Sequence, residues 1–485
     1  MSLSSILVRS LLKNPSLPLI GTKQNRQWSW ASREDVYKAI VEARYQLVNL
    51  GVEKGDRVAF KGKNSVEWIA WNMATNSLGA VWVPMYHEQN ADYCHYIIQD
   101  CQPKVFINDN MDINIDVIKH PIAIESSSQY SSSIDFTHHE LSTLIYTSGT
   151  TGVPKGVMLS NENIISNMTS IQKRFHDLPP FTCVNILPWA HIYSQTCELY
   201  YNMQQENAIA LATSRESFIK ECREIQPHTL YIVPRVLDLI KGKLTWLDKP
   251  ILDNIVPFVL RYLFGTNLKY IFTGGAKLSD ETKHFFTEHG YFLCEGYGCT
   301  ETSPMVSVNH FISPRDLNSI GKCLEDVIVE IVNGEIQVSG PNVMMGYWNN
   351  EIASSRALEI RNDRVWYKTG DSGSMKDDFL YYHGRISENY KLSNGKFVNV
   401  QDVESTIKKH VSGNVVVFGE NKSYNEVITT EPIDENTLYI INTTLDSHLK
   451  IAKVHRITTE ELTPFLTPKM SIKRKPLIEY IEKRH

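Results

Sequence analysis

Apolar residues along this chain alternate between two spacings. In "SREDVYKAIVEARYQLVNLG" they recur every third or fourth position and stop at Gly51, which predicts an amphipathic helix with a glycine just past its end. "DRVAFKG" then predicts a strand, "SVEWIAWNMATNSLGA" a helix, and "VWVPMY" and "PKVFIND" two more strands. Upstream, the first dozen residues predict an amphipathic helix ended by Asn14-Pro15, followed by a strand pair in "LPLIG" and "QWSW". Strand–helix–strand alternation argues for parallel sheets wrapped by helices. "IESSSQYSSSIDFTHHE" is polar and serine-rich, a loop by composition.

The texture changes after residue 320. "DVIVEIVNGEIQVSG" predicts two antiparallel strands turning at Asn333-Gly334, a strong hairpin signal. "WYKTGDSGSMKDDFLYYHGR" predicts a further small β-unit. Beyond about residue 387 a last stretch has its own strands ("NVVVFG", "TLYIINTT") and a helix ("VQDVESTIKKH"). The fold class is therefore α/β. Residues 1–385 form a large domain of mixed sheets wrapped by helices with a small β-unit, and residues 386–485 a small α+β domain.

Composition narrows the function. With 42% hydrophobic and 21% charged residues the chain can bury a large core, and a net charge of −5 lacks the electrostatic footprint of a nucleic-acid binder. Eight cysteines occur without a C-x-x-C pair, so zinc and redox motifs are absent and a reducing, cytoplasmic setting is expected. The most apolar run, "IVPFVLRYLF", carries Arg261 and falls short of the roughly 18 residues of a membrane span, so membrane association is expected to be peripheral at most. No acidic residue precedes Glu34. That trait is shared with transit peptides, but the strand pair that follows favours a domain helix.

The densest chemistry lies in "YTSGTTGVPKG", Tyr146–Gly156. A Walker A loop would place glycine before its lysine, a magnesium-binding hydroxyl after it and a helix next. Here Pro154 precedes Lys155, Gly156 follows, and "VMLS" predicts a strand. Gly149 and Gly152 let backbone N–H groups turn inward. Thr147, Ser148, Thr150 and Thr151 add hydroxyls, and Lys155 adds charge. The set is a phosphate-binding device of another kind.

This loop resembles the signature of the adenylate-forming enzymes, which include acyl-CoA synthetases, luciferases and peptide-synthetase adenylation domains. The motifs that follow keep the family order over nearly the whole chain. The resemblance implies that Thr147–Lys155 grips the β- and γ-phosphates of ATP. It places His191, in "LPWAHIY", near the acyl carboxylate; by itself this histidine reads as a core residue. Gly274, Gly275 and Ala276, in "FTGGAKLS", lie beside adenine. In "EGYGCTETSP", Tyr297 stacks on adenine next to Gly298, Thr300 meets the α-phosphate and Glu301 holds Mg2+, with Thr147 as a second oxygen ligand. A carboxylate attacking a phosphate brings two anions together, so a cation and neutral donors must offset their charge. Asp371, in "YKTGDSG", would hold the ribose hydroxyls, a bidentate task suited to a carboxylate, with Arg385 reaching the same ribose. Gly395 would sit where the pantetheine arm of CoA passes. CoA supplies the nucleophile, and no protein nucleophile is implied.

Within the family, "VPRV", "KLSNGKFVNVQDVE" and "LTPKMSIKR" resemble long-chain fatty acyl-CoA synthetases, including the bubblegum group. The chain is trimmed relative to them, with about 37 residues between Val236 and Gly274. Two positions depart from the family pattern. Ser387 stands where the hinge of the mobile C-terminal domain usually has Asp or Lys. Ser471 stands where the tail usually has its first lysine, with Lys469 and Lys473 two residues to either side; side chains two apart share a face of an extended strand. The expected function is ATP-dependent activation of a fatty acid as acyl-AMP and transfer to CoA. The alternatives are a ligase for another acid, medium-chain or aromatic, and a non-catalytic nucleotide- or acyl-binding relative.

Overall fold

The computed structural model describes residues 2–108, 118–124, 134–148, 153–244, 255–466 and 472–484. Two compact units emerge. One comprises Met1–Leu237, Leu244–Val329 and Val338–Lys368; the other comprises Asp238–Lys243, Glu330–Gln337 and Thr369–His485.

The first unit opens with helix α1 (Leu3–Leu11), whose Ser2 cap accepts the Ser5 N–H and whose Leu3, Leu7, Val8 and Leu11 are buried. Strands β1 (Pro18–Gln24) and β2 (Gln27–Ser32) follow, then helix α2 (Arg33–Asn49). Ser32 and Asp35 close a reciprocal capping box at the start of α2, which fixes where it begins. Next come β3 (Arg57–Lys61), α3 (Val66–Ser77), β4 (Val81–Met85), α4 (Ala91–Cys101), β5 (Val105–Asn108), β6 (Ile118–His120), β7 (Leu141–Ser148), β8 (Pro154–Ser160) and α5 (Asn161–Arg174). The chain continues through β9 (Thr182–Asn185), a π-helix (Tyr193–Tyr200), β10 (Ala208–Leu211), β11 (Thr229–Ile232), β12 (Tyr270–Gly274), β13 (Phe292–Gly298), β14 (Met305–Val308) and β15 (Lys322–Cys323).

These strands form two sheets. One runs Gly346–Tyr347, β8, β7, β4, β3, β5, β6; the other includes the path β15, β14, β13, β12, β11, β9, β10, β1, β2. In the second, β1, β10, β9, β11, β12 and β13 are parallel. Parallel strands end on one edge, so the segments that follow β9, β12 and β13 meet there, where ligands of such sheets bind. Phe106, Val81, Val83 and Leu144 pack on Ile97 and Ile98 of α4 in the core of the first sheet. Among the described residues no helix is long and apolar enough to cross a membrane; "IVPFVLRYLF" forms the short helix Val256–Phe264.

Strands Ile328–Val332 and Glu335–Ser339 flank the expected turn, which lies in the second unit. Asn333 and Gly334 adopt φ of 52° and 81°, as a type I′ turn requires. Strand Arg364–Lys376 pairs with Phe379–Arg385, the expected β-unit. Val400–Lys408 is the expected helix and Val415–Phe418 the expected strand. "TLYIINTT" corrects the sequence reading. It lies in a helix, Glu435–Thr444, not a strand. The Asp434 side chain caps it by accepting the Thr437 N–H, and Ile441 and Leu438 pack on Val403 and Val427. The cap and tertiary burial override the β-propensity of its branched residues.

Candidate functional site

The glycine-rich loop is the tip of the β7–β8 hairpin. Its residues Gly149, Thr150, Thr151 and Gly152 lie outside the described residues, as does the side chain of Ser148. Both shoulders are described. Thr147 and Lys155 are cross-strand partners, so hydroxyl and ammonium flank the loop at one level. The strand reading of "VMLS" holds, and β8 replaces the helix of a Walker loop.

One turn beyond β13 puts Thr300 and Glu301 in a single 3-10 turn, Thr300–Thr302. Thr300 is buried. Gly298, just before, admits no side chain, since a Cβ there would stand 1.8 Å from the Pro304 carbonyl oxygen. A segment far along the chain ties this turn to the loop hairpin. Met344 N–H donates to the Glu301 carbonyl at 2.9 Å, Met345 N–H to that of Met158 at 3.0 Å and Trp348 N–H to that of Gly156 at 2.8 Å. Between them Tyr347 donates its hydroxyl to Glu301 Oε1 at 2.9 Å, and Lys155 Nζ stands 5.1 Å from its ring centroid. Tyr347 thus joins the cation of the loop to the carboxylate of the turn. Burial and the Glu301 charge push its phenol upward, so it stays a donor. Replacing Tyr347 with Phe should lower unfolding stability by about 1.5–3 kcal/mol, the scale of a hydrogen bond to a charged group; a denaturant titration indistinguishable from the parent's would show that the bond contributes nothing.

Gly274 ends β12, with Gly275 at a left-handed φ of 82°, and Ala276 exposed beside it. Gly274 is the register partner of Gly296, and half-buried Tyr297 follows at once. The Gly-Gly-Ala and Gly-Tyr-Gly motifs are thus adjacent at one sheet edge. His191 lies in the segment after β9, at the same edge, half-buried, its Nδ1 accepting the Tyr193 N–H at 3.2 Å. Sequence reading missed what holds this segment. Asn64 donates to Asn185 Oδ1 at 2.7 Å and to the Leu187 carbonyl at 2.8 Å, and accepts the Trp189 N–H at 2.9 Å. Asn185 in turn donates to Glu198 Oε2 at 2.7 Å. Burial raises the Glu198 carboxyl well above its ordinary value, while the bond from Asn185 acts the other way. Next to these motifs lies an apolar cavity lined by Ile171, Phe175, Tyr193, Cys197, Tyr231 and Phe272, among others.

In the second unit, Asp371 and Arg385 are register partners on adjacent strands. Arg385 Nη1 lies 3.0 Å from Asp371 Oδ1 and donates to the Thr369 carbonyl at 2.9 Å. Asp371 N–H donates to Thr369 Oγ1 at 3.0 Å. The carboxylate is buried while the guanidinium is 41% exposed, so the pair is anchored on one side and open on the other. Gly395 has a φ of 79° in the exposed turn closed by its N–H to the Leu392 carbonyl. Lys473 is exposed, its N–H bonded to the Phe465 carbonyl at 2.7 Å; Lys469 and Ser471 lie outside the described residues.

Comparison with known proteins identifies the family and the fold. Residues 13–348 match the family described as AMP-binding enzyme. Long-chain-fatty-acid–CoA ligase FadD15 of Mycobacterium bovis is 25% identical over 473 residues, covering 84% of this chain and 78% of its own. Long-chain-fatty-acid–CoA ligase ACSBG1 of Homo sapiens is 26% identical over 509 residues, covering 87% and 69%. ATP-bound MatB from Rhodopseudomonas palustris shares the fold, with a TM-score of 0.83 at 21% identity over 99% of each chain. The chain belongs to the family of AMP-binding enzymes. Its class is that of the adenylate-forming CoA ligases, which use ATP, Mg2+ and CoA.

Proposed function

We propose that this enzyme activates a long-chain fatty acid as acyl-AMP and transfers the acyl group to CoA. The observation that carries the reading is the edge formed by β12 and β13, where the two glycine motifs stand beside an uncharged, aromatic-lined cavity. Such a neighbourhood suits a nucleotide on one side and an alkyl chain on the other. The relatives named as long-chain ligases support the chain length.

In the first step a carboxylate oxygen of the acid attacks the α-phosphorus of ATP and pyrophosphate leaves. Thr147 to Lys155 hold the β- and γ-phosphates, Thr300 the α-phosphate, Gly274 to Ala276 with Tyr297 and Gly298 the adenine, and His191 the acyl carboxylate. Glu301 and Thr147 fit a magnesium site. Their oxygens are hard donors, and no cluster of three metal-binding side chains occurs among the described residues. Mg2+ is commonly held by one or two carboxylates together with substrate phosphates. When bound, it offsets phosphate charge. Asp371 and Arg385 take the ribose. In the second step the CoA thiol attacks the acyl carbon and AMP leaves, the pantetheine arm passing Gly395. Residues 386–485 act as a mobile domain that turns near Ser387 between the steps, exchanging the Lys469–Lys473 tail for the Gly395 turn. Fatty acid and CoA are its partners, and contact with membranes is peripheral at most.

Pyrophosphate release with ATP and Mg2+ over acids from hexanoate to stearate, plus benzoate, tests the proposal. The largest kcat/KM is expected with palmitate or stearate. A preference for benzoate or hexanoate would favour the ligase for another acid, and nucleotide binding without release for any acid would favour the non-catalytic relative.

A further inference from the structure

The apolar cavity is built in layers. Tyr231, Phe272 and Cys294 are register partners across β11, β12 and β13, and Gly274 and Gly296 form the layer nearer the strand ends. Residues two apart on a strand share a face, so the glycine pair opens onto an aromatic floor. The Tyr231 and Phe272 rings stack at 5.3 Å, and Phe175 meets Phe272 edge-on at 5.0 Å. The space enclosed is about 20 Å³, where one water takes about 10–15 Å³ on the same measure. An alkyl chain of many methylenes therefore needs a wall to retreat.

The walls are not equivalent. Tyr231 and Phe272 sit on strands flanked by neighbours on both sides, which hold their backbone in place. Phe175 sits at the C-terminal cap of α5, outside the sheet. Its ring lies flat on His310, with centroids 5.3 Å apart and planes 10° apart. His310 itself lines a second, larger cleft of about 400 Å³, with Ser170, Arg174, Ile312 and Leu324. It is pinned by its own bonds. Nδ1 accepts the Ile312 N–H at 2.9 Å, so Nε2 carries the proton it gives to the Arg174 carbonyl, also at 2.9 Å. Two stacked rings thus separate the cavity from the cleft.

We propose that Phe175, backed by His310, sets the length of acyl chain the cavity accepts: short chains end against its ring, and longer ones require the ring to swing aside and join the cavity to the cleft. The assignment rests on the reading of the cavity as the acyl site. Nothing in the local sequence marks Phe175, since it stands alone in "QKRFHDLPP".

Opposite substitutions test it. Pyrophosphate release is measured for the full chain with saturated acids from butanoate to stearate, for the parent, Phe175→Ala, Phe175→Leu and Phe175→Trp. The ratio of kcat/KM for palmitate over hexanoate should rise about tenfold or more in Phe175→Ala, less in Phe175→Leu, and fall in Phe175→Trp, a scale set by the cost of one misfitted methylene or more. Phe175→Leu serves if the alanine variant fails to fold. An unchanged length profile in folded Leu and Trp variants overturns the assignment while leaving the acyl site intact. Failure of every acid in the parent overturns the acyl-site reading and this assignment with it.

Discussion

Glu301→Gln is expected to lower pyrophosphate formation from ATP and fatty acid by about a hundredfold or more, the usual consequence of removing one aimed charge from a catalytic site. The surroundings make this substitution informative. Glu301 sits in a three-residue turn whose carbonyl is fixed by the Met344 N–H, and its carboxylate accepts a hydrogen bond from Tyr347. Glutamine retains an acceptor oxygen for that hydroxyl and the same backbone. Shape therefore survives and charge does not. An unfolding midpoint close to the parent's, with adenylation slowed, would tie the loss to charge. A rate within about threefold of the parent would remove Glu301 from the catalytic set.

A larger and asymmetric effect is expected at Ser471. Where the resembling tail has a lysine, this chain has a hydroxyl, and an ammonium facing developing negative charge is worth about a hundred- to a thousandfold in rate. Ser471→Lys should accelerate adenylation by up to that factor. It should leave acyl-CoA formation from synthetic acyl-AMP nearly unchanged, because the tail has left the site by the second step in the proposed cycle. Lys473→Ala and Lys469→Ala decide whether a neighbour already serves. If either abolishes adenylation in the parent, a lysine two residues along the tail supplies the charge. If none of the three substitutions matters, the tail contributes no transition-state charge in this protein.

Local chemistry made several features legible before any coordinates. The Asn333-Gly334 turn depends on the φ preferences of two adjacent residues. The β7–β8 hairpin is legible too, since glycines and hydroxyls mark its turn in the sequence whatever the rest of the chain does. "TLYIINTT" was misread for the converse reason. Its branched residues favour a strand locally, and the Asp434 cap with burial of Ile441 chose a helix.

Tertiary structure alone decided how the site is joined. Tyr347 reaches Glu301 across 46 residues and Lys155 across a different strand, and no motif surrounds it. Asn64, Asn185 and Glu198 lie in three separate segments yet hold the segment of His191 by a chain of side-chain hydrogen bonds. Phe175 becomes a cavity wall only because α5 lays it against β12 and His310. Such contacts arise from strand register and helix packing, which sum many weak preferences over the whole chain. A turn, a cap or a glycine loop is written in adjacent residues, whereas a neighbour a hundred positions away is chosen by the fold as a whole.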